Sequence, residues 1–139
     1  MYDALIIGGG AAGFFAAMRL ADTCPSAKVL ILEAGKEVLQ KVRISGGGRC
    51  NVTHDCYEPK PLAKHYPRGE RLLKGAFHHF NPSDMVDWLK QKGVMTKIEA
   101  DGRIFPVSND SMSIIRCFQN EVGRLGIEVR TSSKVINLE

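Results

Sequence analysis

Gly8-Gly9-Gly10-Ala11-Ala12-Gly13 stands between a short apolar run, Ala4-Leu5-Ile6-Ile7, and a stretch of helix formers that reaches Asp22. Nothing else in the chain restricts its fold as strongly. Four apolar residues ended abruptly by glycine read as a parallel strand buried on both faces. In the G-x-G-x-x-G hexad the first glycine turns the chain, the second lets the backbone approach a pyrophosphate, and the third lets the helix pack on the strand. Alone the pattern is weak, and its context is what raises it. Val29-Leu30-Ile31-Leu32 is a second buried-strand run, with Glu33 at its end, twenty residues past Gly13, and Ala34-Gly35 behind it. Two such strands joined by a helix form a right-handed parallel crossover, so residues 2–33 read as a βαβ core.

The chemistry of this arrangement is specific to a diphosphate. A helix that begins near Ala11 offers free N–H groups and a positive dipole end to anionic oxygen. The Glu33 carboxylate accepts hydrogen bonds from ribose hydroxyls and repels a 2′-phosphate, which disfavours NADP. Gly8, Gly10, Ala11, Ala12, Gly13, Glu33 and Ala34 are therefore candidate dinucleotide-binding residues. The plainer reading, a tight turn beside a solvated strand-end acid, leaves the joint match unexplained.

Beyond the core, Lys36 to Arg68 is rich in Gly, Lys, Arg, Pro and Asn and shows no third parallel strand. Within it, Lys41-Val42-Arg43-Ile44-Ser45-Gly46-Gly47-Gly48-Arg49-Cys50-Asn51 combines consecutive glycines, which expose backbone N–H groups, with three cations. Such a loop can wrap an anionic ligand, and a mobile basic linker is the alternative. Leu72, Leu73, Ala76, Phe77 and Phe80 fall at helical spacing. Asn81 and Pro82 mark a better defined helix start, with Met85, Trp88 and Leu89 on one face and Gly93 closing the end. Residues 97–105 predict a hairpin around Asp101-Gly102. Asp110 or Ser111 caps a last helix that buries Ile114, Ile115, Phe118, Val122 and Leu125 and stops at Gly126. Ile127 to Arg130 and Lys134 to Leu138 predict closing strands.

The net charge of +4 is a modest excess, and its cations are interleaved with glycine and acid rather than with stacking aromatics. No nucleic-acid partner is expected on that ground. The N-terminus lacks the basic head and length of a secretory signal, and no apolar run approaches a membrane span. Cys24, Cys50, Cys56 and Cys117 have no framework spacing, which fits a reducing cytoplasm. Cys50 and Cys56 lack the spacing of the glutathione-reductase redox pair, and Cys50, His54 and Cys56 fit no usual zinc site, so no metal is expected. His78 and His79 read as solvated or capping residues, and Phe77, Phe80 and Trp88 as packing. Lys60, Lys64, Arg68, Arg71 and Lys74 read as a solvated face, with phosphate or partner binding the less common use of such a cluster.

The Gly8–Gly13 fingerprint, Leu32-Glu33, the run from Lys41 through Asn51 to Val52-Thr53, and Gly102-Arg103-Ile104-Phe105-Pro106-Val107-Ser108 together resemble bacterial NAD(P)/FAD-dependent oxidoreductases of the BaiN/RdsA type. These are also known as the aminoacetone-oxidase family. The third run is highly specific, and the motifs span nearly the whole chain. The resemblance implies an α/β, Rossmann-like FAD/NAD(P)-binding domain of the glutathione-reductase type, a parallel sheet with helices, incomplete at the C-terminus. It implies FAD rather than NAD at the N-terminal site, with the loop of Ser45, Gly46, Gly47, Gly48, Arg49, Cys50 and Asn51 along the pyrophosphate and ribityl chain, while Lys41 and Arg43 join the candidate cofactor-binding residues as cationic donors. It also implies that a strand around Val135 returns to the sheet and meets the adenine through its backbone.

On this reading the 139 residues divide into the core 2–33, a cofactor-wrapping loop 36–56, a helical and hairpin region 69–107, and a helix with returning strands 110–139. A second glycine segment and a substrate domain are expected beyond this piece, which by itself is expected to be inactive, to bind flavin weakly or not at all, and to self-associate. The catalytic residues are not among those identified. NAD(P)H is the electron donor the resemblance admits, and the substrate is left open.

Overall fold

A computed structural model describes residues 1–137. Strand β1 (Ala4–Ile7) leads into helix α1 (Ala11–Thr23), which returns the chain to β2 (Val29–Leu32). The strands pair in parallel with Ala4 opposite Val29, as the apolar runs and the intervening glycines require. A third parallel strand, β6 (Glu128–Arg130), pairs on the other side of β2, giving the order β1-β2-β6. Helix α6 (Met112–Arg124) feeds that strand.

One face of this sheet carries the core. Phe14, Ala17 and Met18 of α1 meet Val29 and Ile31 of β2 and Ile114, Ile115, Phe118 and Val122 of α6. Phe14 and Phe118 stack with centroids 6.4 Å apart, and Trp88 meets Phe118 edge-on at 5.5 Å. Each fully buried large apolar side chain here contributes about 1.5–3 kcal/mol, which is why the 3.6-residue spacing in α6 was legible. Both faces of β1 were expected to be buried, and only one is. Ala4 and Ile6 pack on the core, whereas Leu5 and Ile7 each remain 56% exposed. The alternation of a strand sends them to the opposite face, and β1 forms an edge of the described sheet.

The polar stretch after β2 is built rather than loose. It holds α2 (Gln40–Ile44), a 3₁₀ turn (Ser45–Gly48), β3 (Thr53–His54) and α3 (Pro59–Lys64). Helices α4 (Glu70–Ala76) and α5 (Pro82–Gln91) follow, the latter with a full capping box between Asn81 and Asp84. The expected hairpin is β4 (Thr96–Ile98) with β5 (Arg103–Pro106), extended by β3 into an antiparallel sheet of order β3-β5-β4.

The second closing strand is not seen over residues 134–137, and Leu138 lies outside the described residues. Ser132 adopts φ 51° and turns the chain. The N–H groups of Ser132 and Ser133 then bond to the carbonyls of Gly35 and Glu33 instead of extending the ladder. Among the described residues no helix is long and apolar enough to cross a membrane.

Candidate functional site

The junction of β1, α1 and β2 forms a crevice of about 480 Å3, lined by Gly9, Gly10, Ala11 and Ala12 on one side, Glu33 on another, and Gln40 and Lys41 from α2. Gly8 ends β1 with φ 106°, a conformation that requires glycine, and its N–H bonds to the Leu32 carbonyl at 2.8 Å. Gly10 is the N-cap of α1 and contributes no side-chain cap. The first backbone bond of the helix runs from Phe14 N–H to Gly10 C=O, so the N–H groups of Ala11, Ala12 and Gly13 have no helical acceptor. They stand with the helix dipole at the crevice, a ready site for an anion.

The three glycines of the fingerprint have different structural reasons. A Cβ built on Gly13 would lie 2.1 Å from the Gly8 carbonyl oxygen and 3.3 Å from Ile6 Cγ2, so this glycine lets the helix close on the strand. A Cβ on Gly10 would meet nothing within 4 Å. No contact among the described residues demands glycine there, and the space beside it opens on the crevice.

Glu33 is fixed by its backbone surroundings. Its Oε2 accepts from Gly9 N–H at 2.7 Å and its Oε1 from Gly35 N–H at 2.6 Å. These bonds, that of Gly35 first and Gly9 second, hold the carboxyl below the usual carboxylate range. Each oxygen keeps further lone-pair capacity, so the ionised group can still accept from hydroxyls. Gly9, absent from the residues singled out in the sequence, is thus the partner that orients Glu33. A Cβ there would come within 2.7 Å of Val38 and 3.0 Å of Glu33 Cβ. The Gly9 carbonyl also accepts from Leu39 N–H at 2.8 Å, which seats buried Leu39 and brings α2 to the rim. Gln40 and Glu37, likewise not foreseen, line the same crevice. No local spacing announces them, because the Leu39 contact is tertiary.

The expected site residues fall into two groups. Gly10, Ala11, Ala12, Glu33 and Lys41 line the crevice, while Gly8 and Gly13 shape it from behind and Ala34 is exposed next to Glu33. The remaining loop residues form a separate, pinned turn that continues from α2. Gly46, Gly47 and Gly48 have φ of 57°, 69° and 86°, and Cys50 has φ 62°. Ser111, the buried polar residue at 3% exposure, donates its hydroxyl to the Arg43 carbonyl at 2.9 Å and its N–H to the Gly48 carbonyl at 2.8 Å. It occupies the N-cap of α6 without capping it, and Asp110 Oδ1 accepts from Met112 N–H instead.

Arg49, expected as a free cation, is already engaged. Its Nη1 donates to Glu99 Oε1 at 2.5 Å, and its guanidinium lies 4.0 Å from the Phe105 ring centroid. Arg43 keeps only a loose, exposed ion pair with Glu37 at 3.8 Å. Ser45 accepts from Cys50 N–H, Asn51 is exposed, and burial pushes the Cys50 thiol up. Gly47 is exposed, with nothing within 4 Å of its Cβ position. Val135, expected in a strand at the adenine, lies in irregular chain beyond the Ser132 turn and does not line the crevice.

Residues 2–139 match the family described as HI0933-like protein Rossmann domain. The chain is 28% identical over 137 residues to the ribosomal RNA dihydrouridine synthase of Escherichia coli, covering 99% of this chain and 33% of that protein. It is 27% identical over 130 residues to the 3-dehydro-bile acid delta(4,6)-reductase of Clostridium scindens, covering 94% of this chain and 31% of that protein. The chain therefore spans about a third of the length of these curated relatives. Among solved structures it is similar to E. coli quinol fumarate reductase FrdA, with a TM-score of 0.61 at 17% identity over 94% of this chain and 25% of that one. It is also similar to Thermovibrio ammonificans THI4, with a TM-score of 0.59 at 16% identity over 94% of this chain and 38% of that one. At such identities these two likenesses bear on the fold, which is Rossmann-like.

Proposed function

This chain belongs to the HI0933-like Rossmann-domain family, and on that premise we propose that it is the FAD-binding portion of a flavin-dependent oxidoreductase. One observation carries the reading: the open space at Gly10 faces unpartnered helix N–H groups, with the ionised Glu33 carboxylate held beside them. These residues fit the ADP half of the cofactor. Ala11, Ala12 and Gly13 N–H would receive the pyrophosphate, Glu33 would accept from the ribose hydroxyls, and Lys41 would add positive charge at the rim.

The glycine turn supports a second contact zone. Gly47 presents backbone without a side chain, and Ser111 and Glu99 hold the turn in one shape, so we assign Ser45–Asn51 to the pyrophosphate and ribityl side. Arg49 acts there by bracing the turn against Phe105. When bound, the flavin supplies hydride exchange at its N5 position. The relatives' names agree with such chemistry, since one is a reductase and the other a synthase of dihydrouridine, a reduced uridine. NAD(P)H is the donor we propose. The scattered cysteines support a reducing, cytoplasmic setting. The edge position of β1, with Leu5 and Ile7 exposed, supports self-association of this piece when it is isolated.

The test is a titration of the full-length protein with FAD and, separately, with NAD, followed by flavin absorbance and calorimetry. The reading expects FAD to bind with NAD a weak competitor. Tight NAD binding with FAD ignored would replace it with a nicotinamide-binding or sensor module.

A further inference from the structure

Four non-glycine residues among those described have a positive φ: Leu39, Cys50, Asn109 and Ser132. Asn109 and Ser132 lie exposed, and Cys50 closes the glycine turn described above. Leu39 is a different case. It has φ 57° and ψ 24° at the start of α2, and its side chain is 1% exposed in the main core. A left-handed backbone crowds the Cβ of any residue other than glycine, so such a conformation persists where the surroundings over-determine it. Three contacts do so here. The side chain is packed in the core, the Leu39 carbonyl accepts from Arg43 N–H at 3.0 Å, and the Leu39 N–H donates to the Gly9 carbonyl at 2.8 Å. The first two serve packing and the helix, whereas the third reaches into the fingerprint.

That third bond fixes a peptide group. Gly9 N–H donates to Glu33 Oε2 at 2.7 Å, which sets the peptide between Gly8 and Gly9. Leu39 sets the next one, between Gly9 and Gly10. In a trans peptide the C=O and the following N–H point in opposite directions, and no peptide among the described residues is cis. With its carbonyl drawn to Leu39, this peptide turns the Gly10 N–H to its other side. No described residue accepts from that N–H, and Gly10 lines the crevice. Were Leu39 to return to a negative φ with its side chain and carbonyl held, its N–H would swing away from Gly9 and release the peptide. A donor already aimed needs no reordering when an anion arrives, which gives the strained conformation a use.

We infer that Leu39 is a positioning residue for the cofactor, its left-handed backbone holding the Gly9–Gly10 peptide so that the Gly10 N–H stands ready for a phosphate oxygen. The inference rests on the cofactor reading above and adds to it a residue that acts through another. The experiment replaces the Leu39 amide by an ester in the full-length protein, through incorporation of the α-hydroxy analogue of leucine at that position. The side chain is kept and the N–H deleted, while the Val38 carbonyl, which an ester weakens, accepts no backbone bond among the described residues. The same exchange at Val94, whose N–H donates to the Leu89 carbonyl at 2.9 Å outside the crevice, is the control for a lost backbone bond. The Leu39 ester is expected to bind FAD at least about 10-fold more weakly, as loss of one charge-assisted hydrogen bond requires, and to shift a phosphorus-31 resonance of bound FAD. The Val94 ester is expected to stay within about 2-fold, as a distant independent site should, with both phosphorus resonances in place. In the cofactor-free protein the Gly10 amide signal should move in the Leu39 ester and not in the control. If the Leu39 ester does not fold, hydrogen exchange of the unaltered protein decides. FAD should then slow the Leu39 amide more than the Val94 amide, because an anion on the Gly10 N–H polarises the shared peptide and strengthens the bond to its carbonyl. Equal FAD affinity of the two esters, unmoved phosphorus or Gly10 signals, or equal slowing of the two amides would overturn the inference while the cofactor reading stands. No FAD uptake by the unaltered protein would remove that reading, and the role of Leu39 with it.

Discussion

Gly10→Ala and Gly13→Ala add the same methyl group three residues apart, and the structure assigns them opposite consequences. At Gly10 the backbone has φ −85° and ψ 179°, an ordinary extended conformation for alanine, and the new Cβ touches nothing within 4 Å. Alanine is a slightly poorer N-cap than glycine, by up to about 1 kcal/mol, but it removes about 0.4–1 kcal/mol of unfolded-chain freedom. The two nearly cancel, so stability should change by no more than about 0.5 kcal/mol and Tm by about 2 °C. At Gly13 the Cβ would sit 2.1 Å from a backbone oxygen, whereas carbon–oxygen contacts settle near 3.3 Å. Helix and strand must separate by about 1 Å, an overpacking cost of about 1–3 kcal/mol and a fall in Tm on the order of 10 °C.

Binding should reverse the order of diagnosis. In the Gly10 variant a methyl group takes the place a phosphate oxygen would occupy. Loss of one charge-assisted hydrogen bond, about 1.5–3 kcal/mol, weakens FAD roughly 10- to 100-fold. Thermal unfolding and flavin titration of both variants check this. A Gly10 variant that unfolds early, or that binds FAD as the unaltered protein does, would refute the reasoning.

Two further outcomes follow from the same geometry. The folded Glu33 carboxyl lies below its ordinary value because Gly35 and Gly9 N–H groups favour its ionised form. A depressed folded pKa contributes stability that is present above the unfolded value, about 4.3, and is lost as pH falls through the folded one. FAD affinity should therefore stay level as pH falls toward about 4.3 in the folded protein, while Glu33→Gln weakens binding at neutral pH; titration of the two proteins across that window reads both, and equal affinity would remove Glu33 from the site. Ser111→Ala leaves the Arg43 carbonyl without its hydroxyl donor, which costs about 1–2 kcal/mol and loosens the turn. Exchange of the Cys50 amide should quicken in that variant, and unchanged protection would mean that Ser111 does not hold the turn.

The βαβ core was legible because three local signals coincide there: apolar runs of strand length, glycines where φ or close approach demands them, and an acid at the second strand end. Helix α5 was legible for a similar reason, since Asn81 and Pro82 mark its start chemically. The rest depends on partners far away in sequence. Arg49 looks like a free cation until Glu99 and Phe105 come beside it, and Ser111 looks like a helix cap until its hydroxyl is found donating to the distant Arg43 carbonyl while Asp110 accepts from the helix start. Helix α3 was hidden by Pro59 and Pro61, although proline is tolerated in a first helical turn. The strand expected at Val135 failed because apolar alternation does not reveal the positive φ at Ser132. Gly9 was passed over as the variable position of the hexad, and only the Glu33 bond shows its role.

The central claim is that phosphate oxygens are held by the first amides of α1. Nitrogen-15 NMR of the labelled full-length protein during FAD addition tests it at those atoms. The account expects the amide signals of Ala11, Ala12 and Gly13 to move downfield and saturate together with flavin absorbance, while distant amides such as those of α5 stay in place. Saturation of the flavin signal with these three amides unmoved would contradict it.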